Sequence, residues 1–273
     1  MRDGSSTTDR KQLPDIDTTI PQPARFWDYL LGGKDNYPID REVGKEVLML
    51  FPDLRDSARA DRGFLVRTVK FLVQEAGIRQ LLDIGTGLPT VNNTHKVAQD
   101  TSPDCRIVYV DNDPMVLVHA RALLTSTPQG ATDYLDADVR DPEKILHEAA
   151  RTLDFTRPIG LMMLGIINYI LDDDEAHAIV NRFLDALPSG SYLAMSHPTA
   201  EVHAEAIETS IQYYNSSGAP PVRTRSREHI TRFFAGLELL DPGVVSCSLW
   251  RPDPSDIGIH TEVTQYGGLA RKP

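Results

Sequence analysis

The first third of the chain places apolar residues at helical spacing, and this pattern changes at residue 78. Asp40 is the candidate N-cap of the second helix, and Asp61 marks the start of the third. Residues 1–20 show no apolar periodicity and predict a mobile tail, so residues 21–77 predict a helical cap or lid ahead of the main domain. The predicted helices cover residues 24–31, 40–51 and 61–76.

After residue 78, short apolar runs alternate with amphipathic stretches, which is typical of parallel strands joined by helices. The sequence therefore predicts one α/β domain over residues 78–273. It is a Rossmann-like, doubly wound, mostly parallel seven-stranded sheet that carries an N-terminal helical cap. The predicted strands are 81–84, 107–110, 132–135, 159–164, 191–195, either 237–240 or 244–250, and a last one near 262–266.

Two glycines follow the first predicted strand, in the segment Asp83-Ile-Gly-Thr-Gly87. Gly85 and Gly87 let the backbone turn sharply and approach a ligand where a Cβ atom would clash. Thr86 lies between them, and Asp83 is placed to order the loop or to face an ammonium group. The same residues suit a tight turn without a ligand, so this motif alone leaves both interpretations open.

Two more acids stand at the ends of the next two predicted strands. Asp111, followed by Asn112, can bind a ribose diol through its two carboxylate oxygens, and helix capping is its alternative role. Asp138 can accept from an adenine amine beside the amide and apolar wall of Val139, or it can be a solvated turn acid. Combined with the glycine loop, these acids predict a nucleoside site along the carboxyl ends of successive strands.

Composition narrows the classes of function. A net charge of -11 argues against a nucleic-acid partner. No stretch approaches the ~20 apolar residues that cross a bilayer, and no export signal is present, so we expect no membrane partner and a cytoplasmic location. Cys105 and Cys247 lie far apart and suit a reducing compartment. The histidines lack metal-ligand spacing, so no metal is expected, and the oligomeric state stays open.

Several segments carry a resemblance to known proteins, namely Ala24–Asn36, Leu82–Thr90, Val108–Pro114, Ala137–Pro142, Gly190–His197 and Pro242–Val245. In them the chain resembles class I S-adenosylmethionine-dependent methyltransferases, and more closely an actinobacterial family of uncharacterised S-adenosylmethionine-binding proteins. The resemblance implies that Asp83, Gly85 and Gly87 surround the methionine part of the cofactor. It implies that Asp111 binds the ribose and Asp138 the adenine.

The chain departs from the family pattern at two places. Pro89 stands where many class I members have a third glycine, which predicts a stiffer loop. Asn168 and Tyr169 follow the fourth strand, where the family tends to place a histidine, and both are candidate catalytic residues. A third catalytic candidate, His197, follows the fifth strand. It can act as a general base, and helix entry or packing is its alternative role.

The segment from Arg25 to Asn36 is the least typical of the class. Its two glycines at positions 32 and 33 suit a hinge, so the segment can fold over the cofactor as a lid. In that arrangement Arg25 would meet the cofactor carboxylate, Tyr29 would supply an aromatic surface and Gly33 would lie at the cofactor. The alternative is a capped helix that packs on the domain through its apolar residues.

These observations predict an S-adenosylmethionine-dependent methyltransferase that acts on a small molecule without a metal. Methyl transfer needs alignment and sometimes proton removal, so a strong catalytic signature is not required. One alternative is an NAD-dependent oxidoreductase, although Gly85-x-Gly87-x-x-Thr90 lacks the third glycine of that motif. The other alternative is an S-adenosylmethionine-binding sensor or partner protein without catalysis.

Overall fold

The computed structural model describes residues 16–90, 92–123, 125–253 and 261–273. Most of the predicted mobile tail, residues 1–15, lies outside these ranges. The chain within them forms a central sheet with helices on both faces, as the alternating pattern predicts. Among the described residues, no helix is long and apolar enough to cross a membrane.

Three helices precede the sheet, and two predicted starting points are wrong. Asp40 is not the N-cap of the second helix but its third residue, where its carboxylate accepts from the Tyr37 amide at 2.8 Å. Asp61 does not begin the third helix, which starts seven residues earlier, so this acid lies buried inside a helix. The helices are α1 (Pro23–Leu30), α2 (Pro38–Leu50) and α3 (Leu54–Gln74).

The central strands of the sheet are parallel, as predicted. Its first five strands pair in the order β3-β2-β1-β4-β5, and every pairing among them is parallel. Crossovers through helices put all five carboxyl ends on one edge of the sheet. These strands are β1 (Gln80–Ile84), β2 (Arg106–Asp111), β3 (Ala131–Asp136), β4 (Gly160–Leu164) and β5 (Tyr192–Pro198).

The far edge of the sheet is antiparallel. The last strand, β8 (Gln265–Arg271), pairs antiparallel with β5 and begins three residues after the predicted start. Both positions proposed for the sixth strand are extended, as the two-residue strands β6 (Glu238–Leu239) and β7 (Val245–Ser246). Because both pair with β8, the described strands form an eight-stranded sheet.

Two of the crossover helices begin at an acid that caps them. Asp141 caps one helix by accepting from the Lys144 amide at 3.1 Å, and Asp172 caps another by accepting from the Glu175 amide at 2.8 Å. A short 3-10 turn (Ile167–Tyr169) follows β4. The remaining helices are α4 (Thr94–Thr101), α5 (Pro114–Leu123), α6 (Pro142–Ala149), α7 (Asp173–Ala186), α8 (Ala204–Ser216) and α9 (Arg227–Arg232).

The three N-terminal helices join different parts of the core. Helix α3 packs on one face of the sheet, where Phe64 lies beside Gly267 of β8 and Leu72 beside Gly160 of β4. Helices α1 and α2 instead pack with α8, and Phe26 meets Tyr214 at 4.8 Å between ring centroids. The sheet layer therefore includes α3, while α1 and α2 form a separate layer beside the strand ends.

Candidate functional site

A cleft lies at the carboxyl ends of β1, β2, β3 and β4, where parallel sheets of this kind bind their ligands. Helices α1 and α3 supply the rest of its wall. The cleft brings together most of the residues predicted for the site. Those that line it are Asp83, Gly85, Thr86, Gly87, Asp111, Asn112, Asp138, Val139 and Tyr169.

The loop after β1 depends on two glycines in the left-handed region, with φ of 75° at Gly85 and 68° at Gly87. A Cβ atom on Gly85 would lie 2.7 Å from Cβ of Ile166, which is too close. A Cβ atom on Gly87 would meet no heavy atom within 4 Å. Gly85 is therefore required for packing, whereas Gly87 borders open space in the cleft. Thr86 fixes the turn by donating to the Asp83 carbonyl at 3.1 Å.

Asp83 lies buried at the end of β1. Its Oδ2 atom accepts from the Thr94 hydroxyl at 2.6 Å. Burial raises the pKa of Asp83 to about 6, and the Thr94 hydrogen bond and the Arg62 charge oppose that rise. A cationic group that entered the cleft would compensate this carboxylate.

The Asp111 carboxylate accepts hydrogen bonds from the loop after β1 and from the loop after β2. It accepts from the Gly87 amide at 2.8 Å and from the Asp113 amide at 2.9 Å. Burial raises the pKa of Asp111 to about 6 despite these two bonds. Each carboxylate oxygen can accept more than one hydrogen bond, so this group remains able to bind a pair of hydroxyls.

Asp138 marks the β3 end of the cleft. One of its oxygens accepts from the Arg140 amide at 2.9 Å, and the other accepts from the Asn112 side chain at 3.3 Å. The Arg140 guanidinium lies 3.6 Å from the same carboxylate. Val139, which is buried, gives this end an apolar wall. A polar edge beside an apolar wall suits a heteroaromatic base.

Arg25 has a partner of its own and is outside the cleft lining. Its side chain is 2% exposed and pairs with Asp113, with Nε to Oδ2 at 3.2 Å and Nη2 to Oδ1 at 3.3 Å. A third donor, Nη1, reaches the Asp17 carbonyl at 2.7 Å. This geometry corrects the prediction that Arg25 meets a cofactor carboxylate, because the guanidinium fastens α1 to the start of α5.

Tyr29 and Gly33 also lie outside the cleft lining within the described chain. The Tyr29 ring packs on Gly44 of α2, where an added Cβ would lie 2.3 Å from the ring. Gly33 sits against Asp28, and a Cβ there would lie 1.9 Å from a carboxylate oxygen. The structure gives both residues packing contacts, and their predicted roles at the cofactor stay predictions. Both residues shape the turn that ends α1 and presents Trp27 and Asp28 to the cleft.

His197 is enclosed in the sheet and offers the cleft no free nitrogen. It is 0% exposed, its Nδ1 atom lies 2.9 Å from the Pro198 carbonyl, and its Nε2 atom lies 2.8 Å from Nη1 of Arg225. Burial lowers the pKa of His197 to about 3, so the ring is neutral, with Nδ1 donating and Nε2 accepting. The predicted role as a general base is corrected to one in holding Arg225, which pairs with Asp173.

The two catalytic candidates that follow β4, Asn168 and Tyr169, lie in different surroundings. Asn168 is buried behind the turn, outside the cleft lining, and its carbonyl accepts from the Arg223 amide at 3.1 Å. Tyr169 does line the cleft, as does Trp27 of α1. Burial raises the pKa of Tyr169 to about 12, so its hydroxyl stays protonated and can donate.

Sequence reasoning missed several cleft residues, among them Asp61 and Arg62, which belong to no strand-end motif. Arg62 extends from α3 to the glycine loop, where Nη2 donates to the Asn92 carbonyl at 2.7 Å and also to Thr90. Burial lowers the pKa of Arg62, and Asp83 and Asp61 oppose that change. The sequence feature that could have indicated these residues is the adjacent acid and base just before the apolar residues Phe64 and Leu65.

Among the described residues, no group of three or more His, Cys, Asp or Glu side chains is placed to hold a metal ion. The chain matches, over residues 9–273, the model of a family described as S-adenosyl methyltransferase. No curated protein matches it.

Two solved structures are similar in both sequence and fold. A DUF574 family protein from Streptomyces avermitilis MA-4680 is 46% identical with a TM-score of 0.91, over 95% of this chain and 100% of that one. A putative methyltransferase from Thermobifida fusca YX is 42% identical with a TM-score of 0.87, over 95% and 97%. A methyltransferase from Anabaena variabilis ATCC 29413 shares the fold alone, at 12% identity and a TM-score of 0.54 over 96% and 100%.

Proposed function

We propose that this chain, which belongs to the S-adenosyl methyltransferase family, transfers a methyl group to a small-molecule acceptor. It is an S-adenosylmethionine-dependent methyltransferase, and that family assignment decides against the oxidoreductase and the non-catalytic sensor. The observation that carries the small-molecule proposal is the position of α1. This helix is fixed to the start of α5 by Arg25, and its Trp27 lines the cleft together with Tyr169 from the turn after β4, so α1 covers the cleft as a lid.

The residues present fit the cofactor. Its ribose and adenine match the half-buried Asp111 carboxylate and the Asp138–Val139 edge. The Asp83 carboxylate can pair with the cofactor's ammonium group. The open space beside Gly87 can admit its methionine moiety. Since Arg25 is occupied by Asp113, the cation assigned to the cofactor carboxylate is Arg62.

When bound, S-adenosylmethionine supplies an electrophilic methyl group on a sulfonium. The chain's own contribution is alignment and removal of water. Asp111 and Asp138 fix the nucleoside end, while Asp83 and Arg62 fix the amino acid end. Trp27 and Tyr169 close the cleft above them.

The surroundings of the cleft support a small acceptor. A net charge of -11 disfavours a nucleic acid, and α1 and α3 wall the cleft beside the strand ends, which suits a small acceptor better than a folded protein. Both cysteines, Cys105 and Cys247, are free and buried, which supports action in the cytoplasm.

A transfer experiment tests the proposal. The protein is incubated with S-adenosylmethionine labelled in its methyl group and with actinobacterial extract separated into small-molecule, protein and nucleic-acid fractions. We expect the label in the small-molecule fraction, and protein inactivated by heat is the control. Label that accumulates only in protein or nucleic acid would overturn the small-molecule assignment.

Arg62→Gln is expected to weaken binding of S-adenosylhomocysteine by about 10- to 100-fold, because one charge-assisted hydrogen bond to the carboxylate is lost. Titration calorimetry measures the change. Arg59→Gln is the matched control, since Arg59 lies on the same helix but is exposed and pairs with Asp56. Unchanged affinity in Arg62→Gln would remove this residue from the cofactor site.

Binding of S-adenosylhomocysteine should also weaken in acid. Burial raises the pKa of Asp83 and Asp111 to about 6 in the free protein, so both acids protonate as the pH falls through that value and lose their charge. The dissociation constant should be constant above about pH 7 and rise steadily below about pH 6. Asp111→Asn should bind more weakly than the wild type above about pH 7, approach it in acid, and show a shallower dependence on pH. A flat profile for the wild-type protein would contradict this prediction.

A further inference from the structure

We propose that Asp61 binds the nucleophile of the methyl acceptor and that this nucleophile is an amine; the proposal rests on the cofactor site assigned above. Asp61 lines the cleft from the middle of α3, yet only 9% of the residue is exposed. None of the cofactor groups placed so far needs this carboxylate. A buried charge on the wall of a binding cleft is costly unless a ligand compensates it.

The contacts of Asp61 leave its charge without a bonded cation. The Cys247 thiol donates to Oδ1 over 3.9 Å, and Ser196 and Gln265 lie beside the carboxylate as neutral donors. In the part of the chain that the structure describes, Asp61 takes part in no salt bridge. Arg62, its neighbour in sequence, turns to Thr90 and Asn92 instead and attracts Asp61 only at longer range.

The position of Asp61 along the sheet places it at the reacting end. Adenine, ribose and glycine loop follow the strand order β3, β2, β1, so the nucleoside runs in that direction. The next strands in the sheet are β4 and β5. Asp61 lies on that side, beside Ser196 of β5 and Gln265 of β8. A methyl group that leaves the nucleoside end therefore points toward the space that Asp61 borders.

The charges in the cleft favour an amine over other nucleophiles. Asp61 and Asp83 repel each other across its inner end, which an anionic acceptor would aggravate and a cationic one would relieve. A bound acceptor ammonium gives one proton to Asp61, and the lone pair that this frees forms the new N–C bond. The S–C bond breaks in the same step, and its electron pair returns to sulfur. The products are a methylated ammonium, a neutral thioether and a protonated Asp61.

Sinefungin tests this placement without a known acceptor. In this cofactor analogue a carbon that bears an ammonium group replaces the methylated sulfonium, so a positive nitrogen stands close to where the acceptor nitrogen would be. We expect the wild-type protein to bind sinefungin about 10- to 100-fold more tightly than S-adenosylhomocysteine at neutral pH, as for a charge-assisted hydrogen bond. Asp61→Asn should abolish that preference and keep its affinity for S-adenosylhomocysteine, which also shows that the variant is folded.

Asp28→Asn is the matched control, because it removes another carboxylate from the cleft wall and should keep the preference for sinefungin. Equal loss of the preference in both variants would point to the general negative potential and overturn the specific role of Asp61. A parallel loss of affinity for S-adenosylhomocysteine in Asp61→Asn would assign Asp61 to the cofactor ammonium and also overturn the proposal. A wild-type protein that bound neither compound would instead refute the proposed cofactor site.

Discussion

Arg25→Met is expected to lower the free energy of unfolding by about 3–5 kcal/mol, because it leaves the carboxylate of Asp113 buried without its cation. The two side chains are 2% and 4% exposed, so water cannot take the place of the guanidinium. The methionine keeps most of the apolar volume of the arginine stem. Urea unfolding at neutral pH measures the change. Since Arg25 also holds α1 to α5, we expect weaker binding of S-adenosylhomocysteine in the same variant.

The double variant Arg25→Met, Asp113→Asn separates the charge from the packing. The amide side chain that replaces the carboxylate is not an ion but can still accept from the Met115 amide, which Asp113 caps at 2.9 Å. The double variant should therefore recover most of the stability that the single variant loses. A single variant within about 1 kcal/mol of wild type would show that α1 is not fastened through this pair.

The strand-end acids were predictable because a parallel sheet brings the ends of its strands to one edge. Short apolar runs located β1, β2 and β3, and the acid at or near the carboxyl end of each strand then had to lie in the same crevice. No long-range information was needed beyond the strand order. The placement of Asp83, Asp111 and Asp138 in one cleft follows from that local pattern.

The residues that were misplaced depend on partners far away in the chain. Arg25 is satisfied by Asp113, 88 residues later, and His197 by Arg225, 28 residues later. A sequence shows that each side chain needs a partner but not which one is near. Asp61 was taken as a helix start because acids favour that position, whereas in the structure it lies on the buried face of a longer helix.

Gly85→Ala and Gly87→Ala are expected to affect stability and binding in opposite order, although both glycines lie in the left-handed region. Either alanine strains the backbone by about 1–2 kcal/mol. In Gly85→Ala the new Cβ also lies 2.7 Å from Ile166, and overpacking of that kind costs about 1–3 kcal/mol more. We therefore expect the larger loss of unfolding free energy in Gly85→Ala, measured by urea denaturation.

Binding should show the reverse order, because the Cβ atom of Gly87→Ala has no protein atom within 4 Å and projects into space that the cofactor would occupy. The affinity of Gly87→Ala for S-adenosylhomocysteine should fall by at least about tenfold. Gly85→Ala should lose less affinity, because its main effect is to lower the fraction of folded protein. Calorimetry on both variants, at a temperature where each is folded, makes the comparison direct. If Gly87→Ala bound as tightly as wild type, the ligand would not approach the backbone there, and the methionine end would have to be moved away from the glycine loop.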